Sequence, residues 1–459
     1  MKPPQRRGRV RTSRIISAVA AGAMAVSLLA ACAPGSSAGG ATTITVALAA
    51  NPQMKTAESL ISDFYKKNPS IKVKFTTLPE NDLRPAVTKD VATKAGQFDV
   101  VMLGSYDVPN YAKNGWIDPL TSYVKSSPSW DAADLLQPIK AIVSSHGTLY
   151  AAPFYGSSSF LMYNKAMADK AGVTIPENPT WDEVQAAAEK MNDPANGVAG
   201  ICLRGLSGWG QNLASLTTVV NTFGGSWFNE KWEPQLTSPA TEKAVQFYVD
   251  LLKTAGQQDA AKDGWDVCLQ QFSQGKAAMW YDDTVFAGSA IQGATPEVAK
   301  NIAFAMAPTG PSAKPSGWLW SWGLGIESAS KHKDAAWKFI EWATSKGYIQ
   351  LSGQKAGWDS IPPGSRVSTY QIPGYQKAAA SYAALTLKSI KEATPNQPTV
   401  MPVPYTGVQY VQIPEFVDIG NFVSQQISGA IAGSETVPQA LAKSQAYAQN
   451  AVKVAGYLK

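Results

Sequence analysis

The sequence contains few of the side chains that most often bind metal ions or act in acid–base catalysis. Its 459 residues include three cysteines and two histidines. Both histidines, His146 and His332, stand among polar loop or helix-start residues, where a solvated surface position is expected. No segment has the ligand spacing of a metal site or the glycine-rich loop that holds a phosphate. These shortages argue against metal and phosphate chemistry, and we expect neither a cofactor nor catalytic residues.

Charged residues are also scarce, at 16% of the chain, and the net positive charge comes from the N-terminal region. Residues 1–31 carry six positive charges and no negative charge, the six being Lys2, Arg6, Arg7, Arg9, Arg11 and Arg14. Without them the formal net charge of +6 becomes 6 − 6 = 0. A nucleic-acid partner requires a basic surface, so the rest of the chain argues against one. The absence of net charge weakly favours a neutral ligand.

The sequence lacks a long hydrophobic run after its N-terminal region. The run Ile15–Ala31 follows the basic start and ends in small residues, as in a secretory signal peptide. It is shorter than the ~20 residues that a spanning helix prefers, although an N-terminal membrane anchor is the alternative. Leu29–Cys32 resembles a bacterial lipobox, which implies cleavage before Cys32 and its acylation. We expect a lipoprotein signal peptide (1–31), a flexible tether (32–42) and an exported protein anchored by lipid to the outer face of the cell membrane.

Two further cysteines, Cys202 and Cys268, remain in the expected mature chain. In an exported protein they could form a disulfide, because such compartments are oxidising. The alternative is a pair of buried free thiols. The sequence leaves both possibilities open.

Hydrophobic patterning predicts an α/β fold. Short β-rich runs at Thr43–Ala49 and Ile71–Leu78 flank an amphipathic helix, and "FDVVMLGS" has the continuous apolar character of a strand buried on both faces. Thr180 and Glu183 form a capping-box pattern at the start of a helix. Residues 328–351 have the pattern of one long amphipathic helix. The expected mature chain of 459 − 31 = 428 residues favours two domains.

Five segments in this order resemble the extracellular solute-binding proteins of ABC sugar importers: "FDVVMLGSYDVPNYAKNGWIDPL", "YAAPFYGSSSFLMYNKAMADKAG", "PTWDEVQAAAEKM", "FSQGKAAMW" and "GLGIESASKHKDAAWKFIEWATS". The segments "ICLRGLSGWGQN", "WLWSWGLGI", "PPGSRVSTYQ" and "PVPYTGVQYVQIPEF" resemble the sorbitol/mannitol branch of that family. In one departure, "SSSFLMYNK" lacks the acidic residue and the arginine, at Asn164, that this branch often has.

The resemblance implies a two-lobed fold of the periplasmic-binding-protein type (type II), with a ligand cleft between lobes joined by crossing strands. We place lobe one at 43–153 and 303–353, and lobe two at 154–302 and 354–459. The implied ligand is a small neutral polyol or a related monosaccharide, and the implied partners are the permease subunits of an ABC transporter. We expect a monomer that closes around its ligand by hinge motion.

The chemistry of a polyol indicates where ligand contacts should lie. A polyol has an apolar C–H surface and many hydroxyl groups, so its site needs aromatic faces and a few polar groups. Open α/β sheets bind ligands at strand-to-helix junctions. Ser105 and Tyr106 follow the buried strand that ends near Gly104, and Tyr155 and Ser157 lie at the first crossing between the lobes.

Two charged segments supply further candidates. Arg204 lies between apolar residues, with Trp209 nearby. A buried arginine must be paired, so Arg204 either forms an internal salt bridge or donates to ligand hydroxyls. Asp282 and Asp283 end a strand and point in opposite directions. One of them should accept ligand hydroxyls or cap the next helix, and Asp282 is the preferred ligand residue.

Trp318, Trp320 and Trp322 alternate along one stretch and should share a face of a strand. We expect Trp320 and Trp322 to reach the cleft, beside Gly323, which leaves room for close approach to the backbone. Trp318 is expected to pack at the start of the strand or at the rim of the lobe.

Trp265 and Trp358 each follow a glycine in a loop, where an indole needs a covering group. The candidate ligand-binding residues are therefore Ser105, Tyr106, Tyr155, Ser157, Arg204, Trp209, Trp265, Asp282, Trp320, Trp322, Gly323 and Trp358.

Two other functions remain as alternatives. The aromatic content also suits a binding protein for another sugar, an oligosaccharide or a peptide. A secreted carbohydrate-active enzyme would need two carboxylates placed across the scissile bond. Spacing alone cannot exclude such a pair, but the sequence carries no recognisable signature of one.

Overall fold

The structure is a computed structural model that describes residues 40–315 and 317–458. The predicted signal peptide, the lipidation residue Cys32 and most of the tether lie outside the described residues. The described residues from 41 onward form one compact unit. No helix of the described segments is both long enough and apolar enough to cross a membrane.

The described residues include ten strands, which form three sheets. In chain order they are β1 Thr42–Ala49, β2 Ile71–Leu78, β3 Val100–Gly104, β4 Ser144–Ser145, β5 Thr148–Leu149, β6 Ala152–Ser157, β7 Ser159–Asn164, β8 Met279–Asp283, β9 Ile302–Met306 and β10 Trp320–Ile326. The largest sheet has the order β2-β1-β3-β10-β6, and a second has the order β8-β7-β9. β4 and β5 form a short hairpin.

The five-stranded sheet mixes two strand directions. β1 runs parallel to β2 and to β3, whereas β10 is antiparallel to β3 and β6. β3, β6 and β10 are buried throughout, and burial on both faces explains the continuous apolar run of β3. The predicted strands at Thr43–Ala49 and Ile71–Leu78 are confirmed.

Helices surround both sheets. In chain order they are α1 Pro52–Ser59, α2 Ile61–Lys67, α3 Glu80–Thr93, α4 Asp107–Lys113, α5 Thr121–Ser126, α6 Gln137–Ile142, α7 Lys165–Lys170, α8 Trp181–Met191, α9 Asn212–Thr222, α10 Pro239–Ala255, α11 Trp265–Ser273, α12 Ala287–Gly293, α13 Pro296–Ala299, α14 Lys333–Ala343, α15 Lys346–Ala356, α16 Pro373–Ala378, α17 Ala383–Glu392, α18 Phe416–Ile431 and α19 Val437–Val454. The short 3-10 helices in the described part of the chain are Pro128–Trp130, Ala132–Asp134, Pro194–Asn196, Ala260–Lys262, Thr284–Phe286, Trp358–Ser360 and Val367–Gln371.

Local capping explains two helix boundaries. The predicted capping box at the start of α8 is confirmed: Glu183 N–H donates to the Thr180 hydroxyl, and the Glu183 carboxylate accepts from Thr180 N–H. The single long helix predicted over 328–351 is wrong, because the chain breaks between α14 and α15. The Ser345 hydroxyl accepts from Tyr348 N–H and starts a new helix.

The chain passes between the two large sheets at two places. Ser158 alone separates β6 from β7, and the second passage lies between β9 and β10. We call the part built on the five-stranded sheet lobe one and the part built on the three-stranded sheet lobe two. The predicted boundaries at 153/154 and 302/303 therefore each fall about four residues too early, because β6 pairs in lobe one and β9 pairs in lobe two.

The predicted assignment of all residues from 354 onward to lobe two is also too simple. α18 and α19 pack on α9 and α10 of lobe two. Arg366, by contrast, bonds to the carbonyls of Thr344 and Asp131 and to the Asp134 carboxylate, which belong to lobe one. This part of the chain therefore contacts both lobes.

Candidate functional site

A cavity lies between the two lobes, and its empty space, together with the open solvent at its mouth, amounts to about 600 Å³. Lobe one contributes the end of β1, the start of α3, and residues of β6 and β10. Lobe two contributes the segment before α9, the starts of α9 and α11, and the end of β8. The lining residues are Ala49, Ala50, Asn51, Glu80, Arg84, Tyr155, Arg204, Trp209, Gly210, Ala214, Trp265, Asp283, Phe286, Trp318, Trp320, Trp322 and Gln409.

Three alternating tryptophans form one wall of this cavity. Trp320 and Trp322 lie in β10, with their ring centroids 5.6 Å apart and nearly perpendicular. Trp318 precedes the strand and also lines the cavity, 5.7 Å from the Arg204 guanidinium. The expectation was that Trp318 packs at the start of the strand or at the rim of the lobe; the structure places it before the strand but in the lining of the cavity. The row of indoles faces the cavity along its whole length.

Gly323 does not face the cavity. It pairs with Leu103 of β3, and a Cβ at this position would meet Ala151 and Ala152 of the neighbouring chain segment. The close approach inferred from this glycine is real, but the approaching groups are the Ala151 methyl group and the Ala152 carbonyl of the protein itself. This corrects the expectation that Gly323 lies at the ligand.

Arg84 is a lining residue that sequence reasoning missed. Its guanidinium lies 4.2 Å, 5.2 Å and 4.8 Å from the ring centroids of Trp209, Trp320 and Trp322. It also bonds to Asp107 at 3.0 Å and Glu80 at 2.7 Å. Burial alone would lower the pKa of Arg84, but the two carboxylates outweigh burial and raise it. The cavity thus contains a fixed cation held against aromatic faces.

Arg204 forms the internal salt bridge that was one of its two sequence interpretations. Its Nε donates to Asp282 at 2.8 Å, its second nitrogen binds the other carboxylate oxygen, and the third donates to the Gly210 carbonyl at 2.8 Å. Burial would lower the pKa of Arg204, but Asp282 raises it well above its ordinary value. The guanidinium lines the cavity with its fork already engaged.

Asp282 lies behind the cavity wall, which corrects its assignment as the preferred ligand residue. It is fully buried and also accepts from Trp280 Nε1 at 3.0 Å. Asp283 lines the cavity instead and accepts from the Ser157 hydroxyl and from Val285 N–H. Burial raises the pKa of Asp283 to about 7, against the effect of these two bonds. Ser157 therefore acts on the site through Asp283.

Ser105 and Tyr106 lie outside the lining and join neighbouring segments. Ser105 N–H donates to the Ser321 carbonyl, and the Tyr106 hydroxyl donates to the Ile413 carbonyl at 2.6 Å. The Tyr106 ring packs 5.1 Å from Trp209. Both residues are buried, so the expectation of direct ligand contact is corrected to support of the wall from behind.

Trp265 and Trp358 have different surroundings. Trp265 lines the cavity and stacks on Phe286 at 4.8 Å. Trp358 packs closely over Gly353 and Gly374, where a Cβ would overlap its ring, and it does not line the cavity. The protein itself supplies the covering group that was expected from a ligand, which corrects the assignment of Trp358.

A disulfide joins Cys202 to Cys268, with Cα atoms 5.5 Å apart. Cys202 is two residues from Arg204, and Cys268 lies in α11 three residues after Trp265. The bond therefore ties together two segments that each place a side chain on the cavity.

Four lining side chains carry buried polar atoms without a hydrogen-bond partner among the described residues. Three are donors, namely Arg84 Nε, Trp209 Nε1 and Trp318 Nε1, and one is an acceptor, Gln409 Oε1. Buried polar groups are normally satisfied, so such a cluster in a cavity is typical of a site that binds a polar molecule. The described residues include no group of acidic, histidine or cysteine side chains placed to hold a metal ion.

Sequence reasoning identified six of the lining residues: Tyr155, Arg204, Trp209, Trp265, Trp320 and Trp322. It missed the contribution of Ala49–Asn51, although the position of these residues after β1 is a strand-to-helix junction of the expected kind. Arg84 and Gln409 gave no local signal, because one lies inside an ordinary helical pattern and the other in a proline-rich segment.

Comparison with known proteins agrees with this geometry. Residues 49–350 match the family model of the bacterial extracellular solute-binding proteins. The chain is 40% identical over 420 residues to the mannitol-binding protein of Pseudomonas aeruginosa, covering 92% of this chain and 95% of that protein. It is 25% identical over 322 residues to the erythritol/L-threitol-binding protein of Mycolicibacterium smegmatis, covering 66% of this chain and 67% of that protein.

The chain is also similar to solved structures of solute-binding proteins. A solute-binding protein from Agrobacterium vitis S4 with bound D-mannitol has a TM-score of 0.89 and 48% identity, covering 91% of this chain and all of that chain. A protein from Agrobacterium radiobacter K84 in complex with ribitol has a TM-score of 0.78 and 24% identity, covering 90% and 99%, and supports the fold. The chain belongs to the family of bacterial extracellular solute-binding proteins.

Proposed function

We propose that this protein captures a small neutral polyol, with D-mannitol as the first candidate, for import by an ABC transporter. The observation that carries the proposal is the interlobe cavity, where indole faces surround buried donors and one acceptor that lack partners. Indole faces suit the C–H surface of a polyol, and the unpartnered groups suit its hydroxyls. The relatives that bind mannitol support the same choice of ligand.

The residues that we propose as ligand contacts follow from the lining. Tyr155, Trp265, Trp318, Trp320 and Trp322 would pack against the carbon chain. Polar contacts would come from Arg84, Trp209, Asp283 and Gln409, with Arg204 contributing through the N–H groups that Asp282 and Gly210 leave free. The two arginines have carboxylate partners inside the protein, so the site does not require a charged ligand.

Three further properties belong to this proposal. The protein would be exported and held at the outer face of the membrane by acylation of Cys32. It would act as a monomer and would deliver its ligand to the permease subunits of the transporter. Mass spectrometry of the N-terminal peptide from protein extracted from membranes should show a chain that begins at Cys32 and carries acyl groups. An N-terminal peptide without acyl groups, or one that still contains residues 1–31, would contradict lipid anchoring at Cys32.

Titration calorimetry of the purified protein with D-mannitol, sorbitol, arabitol and common hexoses tests the ligand class. We expect micromolar or tighter binding of at least one hexitol or pentitol. Mass spectrometry of ligand that copurifies with the protein provides an independent identification. Tight binding of an oligosaccharide, with no response to any polyol, would overturn the proposal.

A further inference from the structure

The segments Glu80–Arg84 of lobe one and Ser207–Gly210 of lobe two meet at the cavity, and we call this pair of segments the clasp. The Asn81 side-chain amide donates to the Ser207 carbonyl at 3.2 Å. Arg84 lies over the Trp209 ring at 4.2 Å. Both contacts join one lobe to the other.

Each half of the clasp is held by its own lobe. In lobe one, Arg84 is fixed by Asp107 at 3.0 Å and by Glu80 at 2.7 Å. In lobe two, Gly208 N–H donates to the Ser424 hydroxyl at 2.6 Å, and Trp209 N–H donates to the Asn421 side chain at 3.2 Å. These bonds hold each half within its own lobe, so the contacts between the halves can form or break, with or without ligand, while each half keeps its internal bonds.

Two glycines make the approach possible. Gly208 has a φ of +137°, a conformation that side-chain-bearing residues rarely adopt, and a Cβ there would meet the Asn81 amide at 2.7 Å. A Cβ on Gly210 would overlap the Glu80 carboxylate. The lobe-two turn therefore fits against α3 only because these two positions lack side chains.

We propose that the clasp is an interlobe latch that sets the lifetime of the ligand-bound state, with Asn81 and Gly210 as positioning residues. This inference rests on the proposed function. Asn81 and Ser207 do not line the cavity, so their contact can change the dissociation rate without changing any ligand contact. Gly210 lines the cavity, and its role is separated from ligand contact by the double substitution described below.

Stopped-flow tryptophan fluorescence with D-mannitol tests the latch. We expect Asn81→Ala to raise the dissociation rate about two- to tenfold, the range for one net hydrogen bond, with the association rate within about twofold of the original. Asn114→Ala is the matched control. Asn114 is another exposed asparagine of lobe one, but its amide donates within its own helix, to Asn110. Equal rates for the two variants would overturn the proposal.

A double-substitution cycle tests the glycine. Gly210→Ala should raise the dissociation rate about tenfold, because the added Cβ displaces Glu80 from the closed arrangement. In a Glu80→Ala background the same substitution should have little further effect, since the overlapping group is gone. An equal effect in both backgrounds would show that Gly210 acts through the cavity and would overturn its role in the latch.

Hydrogen exchange separates failure of the latch from failure of the proposed ligand. Absence of any response to D-mannitol in the unsubstituted protein would contradict the proposed ligand alone. In that case, the latch is tested by amide hydrogen exchange at residues 205–211 of the protein without ligand. Asn81→Ala should accelerate this exchange and Asn114→Ala should not. Identical exchange in the two variants would overturn the latch without reference to any ligand.

Discussion

The cavity has a buried arginine on each side, and the two are held in different ways. Arg204, in lobe two, uses two nitrogens on the Asp282 carboxylate and a third on a backbone carbonyl. Arg84, in lobe one, divides its bonds between two carboxylates, lies against three indoles, and keeps Nε unpartnered. Arg204 is therefore a fixed part of the wall, whereas Arg84 keeps Nε without a hydrogen-bond partner among the described residues.

The difference shows that exposure and charge alone do not identify a binding residue. Arg204 and Arg84 are 5% and 8% exposed, so burial does not separate them. What separates the two arginines is the number of hydrogen bonds that each guanidinium already makes inside the protein. Arg204 should contribute more to stability and Arg84 more to affinity.

The largest expected effect is on the Arg204 side. Asp282→Ala leaves a buried guanidinium without its carboxylate and should lower the free energy of unfolding by about 3–5 kcal/mol. Urea denaturation followed by circular dichroism measures this loss. Asp169→Ala removes an exposed carboxylate from α7 and should change stability by no more than about 0.5 kcal/mol. A loss below about 1 kcal/mol for Asp282→Ala would contradict the assignment of this pair to the wall.

The next largest effect is the pH dependence of the free energy of unfolding that Asp283 causes. Asp283 lies next to Asp282, the partner of Arg204. Its pKa is raised to about 7 in the folded protein, so the folded state holds a proton that the unfolded state loses near pH 4. The free energy of unfolding should therefore fall as pH rises from about 4 to about 7, by at most about 1.4 kcal/mol per pH unit from this group. Asp283→Asn should flatten this dependence. An unchanged slope in the variant would show that the carboxyl titrates normally.

In lobe one, on the opposite side of the cavity from Arg204, Arg84→Lys should weaken D-mannitol binding about tenfold. The free energy of unfolding should change by about 1 kcal/mol or less. A lysine keeps the charge facing Asp107 but loses the planar contact with the indoles and the Nε donor. Calorimetry and urea denaturation on the same samples separate the two quantities. A stability loss as large as that of Asp282→Ala, with affinity preserved, would reverse the comparison.

The smallest effect compares two tryptophans. Trp322→Phe removes part of an indole face from the cavity and should weaken binding a few-fold, by about 1 kcal/mol. Trp358→Phe changes a ring that packs over Gly353 and Gly374 instead and should leave the affinity unchanged. Parallel titrations of both variants measure the difference. Equal losses of affinity would place Trp358 in the binding machinery after all.

Local patterns were enough to predict the elements whose causes are local. β1, β2 and the capping box at Thr180 and Glu183 depend on neighbouring residues, and the structure confirms them. The break at Thr344 depends on distant groups as well as on the local cap at Ser345. Its hydroxyl accepts from Trp130 and its carbonyl accepts from Arg366, so the helix ends where remote side chains take over its polar groups.

Lining residues could be predicted where their type and their order along the chain were enough. They could not be predicted where a side chain depends on contacts with residues that are distant in the sequence. The tryptophans of β10 were visible as a pattern. Arg84 acquires its role from Asp107 and Trp209, which lie 23 and 125 residues away along the chain. Asp282 and Asp283 could not be ranked from sequence, because the direction of each side chain depends on which neighbour Arg204 reaches.

The bond between Cys202 and Cys268 has a practical consequence for producing the protein. It closes a 66-residue separation across the segments that carry Arg204 and Trp265. A host compartment that keeps thiols reduced would yield a chain without this cross-link, in which those two segments are joined only by packing and by hydrogen bonds such as those from Gly205 N–H and Leu206 N–H to the Asp263 carbonyl. Material intended for calorimetry or for use as a polyol sensor should therefore be secreted or oxidised before its affinity is measured, and reducing agents should be left out of its buffers.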